Sequence, residues 1–421
     1  MNILPVNPLT SYFISFLKEN LTRTLSSQQK KMIGIALIAL GCLAIYCVVK
    51  SCDFKAKKID LRKEAEELRL QGKLEEALVK LKEILVSHPK DVFALSRYGE
   101  TLRELDRFDE AEEKFKEALE ANPRDVFTLT AYGLTLRQQG RLDEARVKFR
   151  IASRIDSKNV FALLGYASIL NLLGHLDHEE EQYERALKSD PSDVSVLIYY
   201  ASSLREQGKI EESTAMFENA FAKEPSNPYV LEGLAMRLID QGEQNEADAK
   251  MEEVVVSFKE ALTKAPHHLG NLSSYAMALC QQGKLEDAEI EMKKALLRCP
   301  KDVLVLDGYA EILLKQGKLD EAKTILEESL AIAPRNAYAL CRHAEVLRQQ
   351  NRLDEAAIQF KDGLSIVPQN LFALRHYAEN LRLQGNFKEA EVNFTKVLAI
   401  MPEDIFALHG LAKIPTTVDG S

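Results

Sequence analysis

A 34-residue period runs through the chain from Lys58 to Asp404 and constrains its fold more than any other feature. The stretch from Val92, VFALSRYGETLRELDRFDEAEEKFKEALEANPRD, returns from Val126 as VFTLTAYGLTLRQQGRLDEARVKFRIASRIDSKN, and variants follow almost to the C-terminus. A unit of this size cannot bury its own apolar face, so neighbours must stack and share one. The 421 residues therefore need not divide into several globular domains, because the core of such an array grows along one axis.

Within each unit, apolar residues recur three and four apart in two bursts separated by a turn, which predicts two amphipathic helices. In the unit 92–125 the first helix presents Leu95, Tyr98, Gly99 and Leu102, and the second presents Phe108, Ala111, Phe115 and Ala118. Gly99 and Ala111 are small where the helices must approach, and Phe115 and Leu102 fill the space beside that contact. Prolines such as Pro89, Pro123 and Pro334 stop the second helices. Two residues later stands a capping residue: Asp91, Asp125, Asn159, Asp193, Asn227, Asp302, Asn336, Asn370 or Asp404, each worth about 1 kcal/mol. The turn inside each unit carries Gly72, Gly140, Gly174, Gly208, Gly242, Gly283, Gly317 or Gly385, with Asp106 and Asn351 as substitutes that tolerate a left-handed backbone.

On these residues the chain resembles the tetratricopeptide repeat family, whose 34-residue helix–turn–helix has small and large side chains at set positions. The resemblance implies an all-α fold, a right-handed α-solenoid of about ten repeats. The units are 58–91, 92–125, 126–159, 160–193, 194–227, 228–268, 269–302, 303–336, 337–370 and 371–404, with 405–421 as a capping helix and tail. Two departures stand out. Glu179 occupies a place where other second helices carry a small residue, so either that helix shifts outward or the carboxylate snorkels at an edge. The unit 228–268 is seven residues longer than its neighbours, about two helical turns, which can lengthen its second helix and return the apolar face to nearly the same side.

Met32 to Val49 form an uncharged stretch of eighteen residues flanked by Lys30, Lys31 and Lys50. As a helix it would be roughly 27 Å long, close to the ~30 Å hydrocarbon core, with the lysines snorkelling at either end. One transmembrane helix over 30–50 is the expectation; a cap helix on the first repeat would have no place for an apolar surface on all sides, and no small-x-small cleavage site follows the run. Residues 1–29 form a tail or an interfacial helix, and 51–57 a basic juxtamembrane linker. Within twenty residues of the span, seven basic residues lie on the C-terminal side and four on the N-terminal side, which favours the repeats on the cytoplasmic side. The net charge of −9 splits into +5 before Lys58 and −14 from Lys58 onward, and an acidic array argues against nucleic acid as the ligand.

No catalytic, cofactor or metal constellation emerges. The histidines are dispersed, His267 and His268 read as a solvated loop, and Cys280, Cys299 and Cys341 lack ligand or disulfide spacing. An enzyme is not expected. The resemblance implies that the first helices line a concave face where partners bind. Aromatic residues recur at the second place of the units, among them Phe93, Phe127, Tyr338 and Phe372, where packing against the preceding unit competes with a binding role. Arg103, Arg137, Arg205, Arg348 and Arg382 recur near the ends of first helices, and Arg97, Arg342, Arg375 and His376 join them in two clusters suited to carboxylates or carbonyls of a partner segment. Against this, Glu100, Glu345 and Glu379 each precede an arginine by three residues and can bridge to it on the same helix. Ser96, Glu100, Thr130 and Ala131 do not match the Lys/Asn clamp of chaperone-tail receptors. Nor do Arg97, Ala131, Gly165 and Tyr199 match the asparagine ladder of sugar-transferase repeats. The chain thus reads as a membrane-tethered interaction scaffold, the alternatives being a receptor that delivers clients to a translocation or secretion machinery and a regulatory subunit of a membrane enzyme.

Overall fold

The computed structural model describes Ser26, Met32 and residues 58–266 and 268–415. By its internal contacts the chain divides into two units, Met1–Glu64 and Ala65–Ser421. In the first, residues 58–64 are helical. The expected span, with Lys30, Lys31 and Lys50, lies outside the described residues apart from Met32; among the described residues no helix is long and apolar enough to cross a membrane.

In the second unit every regular element among the described residues is an α-helix. First helices of 13 residues, such as Val92–Glu104 and Ala337–Gln349, alternate with second helices of 14, such as Phe108–Ala121 and Leu353–Ile366. All nine capping residues expected from the sequence accept a backbone N–H at the start of a first helix, for example Asp91 from Ala94 at 2.9 Å and Asp404 from Ala407 at 2.7 Å. The remaining first helix, Leu269–Gln281, is capped by His268, whose Nδ1 accepts from the Asn271 N–H at 3.1 Å. His268 therefore caps this helix from an exposed loop position, as the solvated-loop reading allows, and partial loss of solvent around its ring holds its pKa below the ordinary histidine value.

The helices of one unit meet where the sequence is small. A Cβ on Gly99 would come within 2.7 Å of the Phe115 ring, and Leu102, Ala111 and Phe115 are fully buried beside it. Rings also join successive units, Phe115 stacking on Tyr132 at 5.8 Å and Tyr183 on Tyr200 at 5.1 Å. Glu112 and Glu289 also receive cations from the turn of the next unit: Glu289 is held by Lys293 of its own helix and by Lys318, and Glu112, despite its burial, by Arg141, Lys116 and the Tyr132 hydroxyl, which brings both carboxyls down to about 2.

The long unit behaves as its seven extra residues dictate. Its second helix, Gln244–Lys264, has 21 residues, and its buried positions Ala247, Met251, Val254 and Phe258 continue one face through the insertion. Phe258 ends fully buried, edge-on to Tyr229 at 5.0 Å.

Contacts are not confined to neighbours, because the array winds until units four and five apart meet. The Arg298 guanidinium donates to both carboxylate oxygens of Asp106, at 2.8 and 3.1 Å, and to the Glu104 carbonyl at 3.1 Å. Arg137 lies 3.5 Å from Asp302, and the Asn370 amide donates to the Glu206 carbonyl at 3.3 Å. Val303 and Ala333 share one apolar cluster with Leu136, Ile169 and Leu172, so this seam is oily as well as charged.

Glu179 corrects the expectation of an outward shift or a snorkelling carboxylate. It is completely buried, and the Asn171 side-chain amide donates to both its oxygens at 3.3 Å. Burial pushes its pKa up to about 7. The unfolded chain thus ionises this group from its ordinary 4.5, and the folded one only near 7, so the fold loses stability as pH rises through that window. Glu179→Gln should raise stability at pH 8 by up to about 3 kcal/mol and change little at pH 4, as read from urea unfolding at the two pH values.

Candidate interaction surface on the first helices

Consecutive first helices touch one another along the array, which makes them its inner wall. The residues that face inward come from recurrent places in the first helix, so side chains one unit apart line up. The sixth place of one unit meets the second place of the next. Arg97 lies over the Phe127 ring at 4.1 Å, Arg342 over Phe372 at 3.7 Å, and the His376 ring packs on Phe406 at 5.3 Å. Where the sixth place is Ala131, its ring has no lid, and Phe161 is 74% exposed. This rule could have been found in the sequence by aligning the sixth place of each unit against the second place of the next.

Tyr338, Arg342, Phe372, His376 and Arg348 form one continuous group. The Tyr338 hydroxyl donates to Glu311, Arg342 pairs with the same carboxylate at 3.0 Å, and His376 Nδ1 approaches Glu345 to 2.9 Å. Arg348 holds Glu345 through two bonds of 2.7 Å, and the hydrogen bonds from Arg348 and His376 bring that carboxyl down to about 2 despite its burial. Burial dominates at His376 and holds it below the ordinary histidine pKa.

The other candidates are dispersed. Arg97 pairs with Glu100 at 2.7 Å and also lies 5.7 Å from the Phe93 ring. Arg205 grips Asp240 of the next unit at 2.6 and 3.2 Å, Arg375 grips Asp404 at the start of the last helix, and Arg137 is part of the seam. Arg382 pairs with Glu379 on its own helix, as the spacing predicts. Arg103 corrects the same expectation: it donates to Gln138 at 3.4 Å, while Glu100 is taken by Arg97 and approached by Arg69.

Between the two arginine groups the wall is acidic. Asp307 is buried, accepts from Ser329 at 2.5 Å and Asn336 at 2.6 Å, and is pushed up to about 7 by loss of solvent. The same cause takes half-buried Glu232 to about 7. Charges on facing walls also act on one another: Glu311 acts on Arg205 and Arg342 on Glu206, three and four units away. Tyr199, missed as a candidate because it broke the pattern of the asparagine ladder, stands 55% exposed in this acidic stretch.

Chemically, the wall offers uncovered aromatic faces and carboxylates in its middle and internally satisfied arginines at either end. Among the described residues no group of histidine, cysteine and acidic side chains is placed to hold a metal ion, and Cys280, Cys299 and Cys341 are buried free thiols.

Models of the tetratricopeptide repeat match residues 302–369, 92–125 and 114–147, and these segments are tetratricopeptide repeats. Among solved structures, that of a thermophilic tetratricopeptide-repeat protein of Thermus thermophilus is similar at 20% identity, over 41% of this chain and 93% of that one, with a TM-score of 0.37. No curated protein matches the chain.

The partners found here separate structural from dispensable arginines. Arg342→Ala would strand the buried Glu311 charge and uncover Phe372, and should cost about 3 kcal/mol. Arg382→Ala, which breaks a more exposed pair within one helix, should cost less than about 1 kcal/mol. Urea unfolding of the two variants beside the parent checks the order.

Proposed function

We propose that this array of tetratricopeptide repeats is a protein-binding scaffold tethered to a membrane. Its first-helix wall takes segments of partner proteins, and its N-terminal residues 30–50 hold it at the bilayer with the repeats on the cytoplasmic side. The observation that carries the binding role is the wall itself: first helices in register, with Phe161 and Tyr199 left open to solvent along it. Large exposed aromatic side chains in an otherwise satisfied polar surface are what partner segments bury. The tether rests on the uncharged stretch Met32–Val49 and its flanking Lys30, Lys31 and Lys50.

The internal partners of the arginines narrow the partner's chemistry. Arg97, Arg205, Arg342, Arg348, Arg375 and Arg382 already hold carboxylates of this chain, so an acidic partner must displace one at each. Phe93, Phe127, Tyr338 and Phe372, with Arg103, Arg137 and His376, then act mainly as the shaped floor of the surface, and contact falls first on Phe161 and Tyr199.

Proximity labelling from the intact chain in its membrane tests the reading. The double variant Phe161→Ala with Tyr199→Ala should melt within a few degrees of the parent and lose a defined set of labelled neighbours; an unchanged set would refute the surface. A chain lacking residues 1–57 should leave the carbonate-washed membrane pellet, and its retention there would refute the tether. Stable stoichiometric neighbours fit a scaffold, whereas unfolded or precursor clients would fit a receptor for translocation.

A further inference from the structure

We propose that the seam between units four and five apart is a latch: it holds the array wound shut, and its release lets the winding open and widens the inner space. The three seam glycines carry the argument. Gly140, Gly174 and Gly208 stand at the left-handed turn position of their units, with φ between 71° and 76°. A Cβ on them would lie 3.0 Å from the Lys301 carbonyl oxygen, 2.9 Å from that of Arg335 and 2.4 Å from that of Gln369. The glycines are spaced one period apart, and so are the carbonyls they meet. Each turn of one half thus seats against the end of a unit in the other half.

Five further turns provide the contrast. Gly72, Gly242, Gly283, Gly317 and Gly385 adopt the same conformation, and a Cβ there would meet nothing within 4 Å. The turn geometry alone does not demand glycine, since Asp106 and Asn351 occupy it with φ of 61°. At Asp106 the place of the missing glycine is used differently, its carboxylate reaching Arg298. The seam is therefore a surface to which these four turns are individually fitted.

Such a contact is a poor candidate for permanent core. It consists of short turns, one bidentate ion pair, one longer ion pair and a small apolar patch, while each unit keeps its own interface with its neighbours. Elements of this kind open as units before the rest of the structure does. Opening would weaken the electrostatic action of Glu311 on Arg205 and of Arg342 on Glu206.

Hydrogen exchange followed by mass spectrometry on the full chain tests the latch, with or without a partner. Gly208→Asn keeps a residue that accepts the turn conformation but collides with Gln369. Exchange at residues 367–370 should become about tenfold faster, with the neighbouring helix interiors unchanged. Gly317→Asn, identical in chemistry but facing solvent, should leave residues 367–370 as they were. Equal effects of the two variants, or no effect of Gly208→Asn, would overturn the proposal. If Gly208→Asn unfolds the array as a whole, Arg298→Ala decides: faster exchange at 104–107 with intact helices supports the latch, and unchanged exchange there overturns it.

Discussion

The close approach of two helices across a small residue is the contact on which the rest of this structure depends. At Gly99 the backbone of a first helix comes so near the Phe115 ring that a methyl group would not fit, and the same arrangement returns at Gly133 against Phe149. This contact sets the angle between the helices of a unit, and a repeated angle sets the curvature of the stack. Apolar burial supplies the drive, but the glycine and alanine positions decide the shape. Because that shape is reproduced unit after unit, small rotations add coherently until distant units meet.

The aromatic–cation shelves on the inner wall follow from the same register. With neighbouring first helices in contact, a guanidinium from one unit falls on the ring at the start of the next, at Arg97 and Phe127 and again at Arg342 and Phe372. Arg342 then also satisfies Glu311, so one side chain ties three units together. Residues that read as a ligand-binding series are thereby committed to holding the wall. The positions that escape this commitment are those where the series lapses, at Ala131 beside Phe161 and at Tyr199.

Local features were legible in the sequence, because they depend on residues a few places apart. The period, the turns with left-handed residues, nine of the ten described caps and the continuation of the helix through the insertion are all of this kind. The tenth cap, His268, was obscured because histidine seldom fills that role. Glu179 was misplaced because a carboxyl can be buried when Asn171 supplies donors, and Asn171 lies on another helix. The partner of Arg137 was out of reach for a different reason: it is set by how units accumulate, and no single unit encodes that, whereas Gln138, which takes Arg103, lies in the adjacent unit. The inner face was legible as a face, but which of its residues remain open was not.

The seam changes what kind of sequence drift this array can absorb. Open solenoids gain and lose whole repeats readily, since each copy answers only to its neighbours. Here the turns at Asp106, Gly140, Gly174 and Gly208 find their seats only at a fixed distance along the chain, and the 21-residue helix Gln244–Lys264 lies inside every one of those intervals. Duplication or loss of one copy between residues 209 and 297 would displace all four turns from their seats together. The number of repeats in that stretch is therefore fixed by closure, as the number of staves is in a barrel.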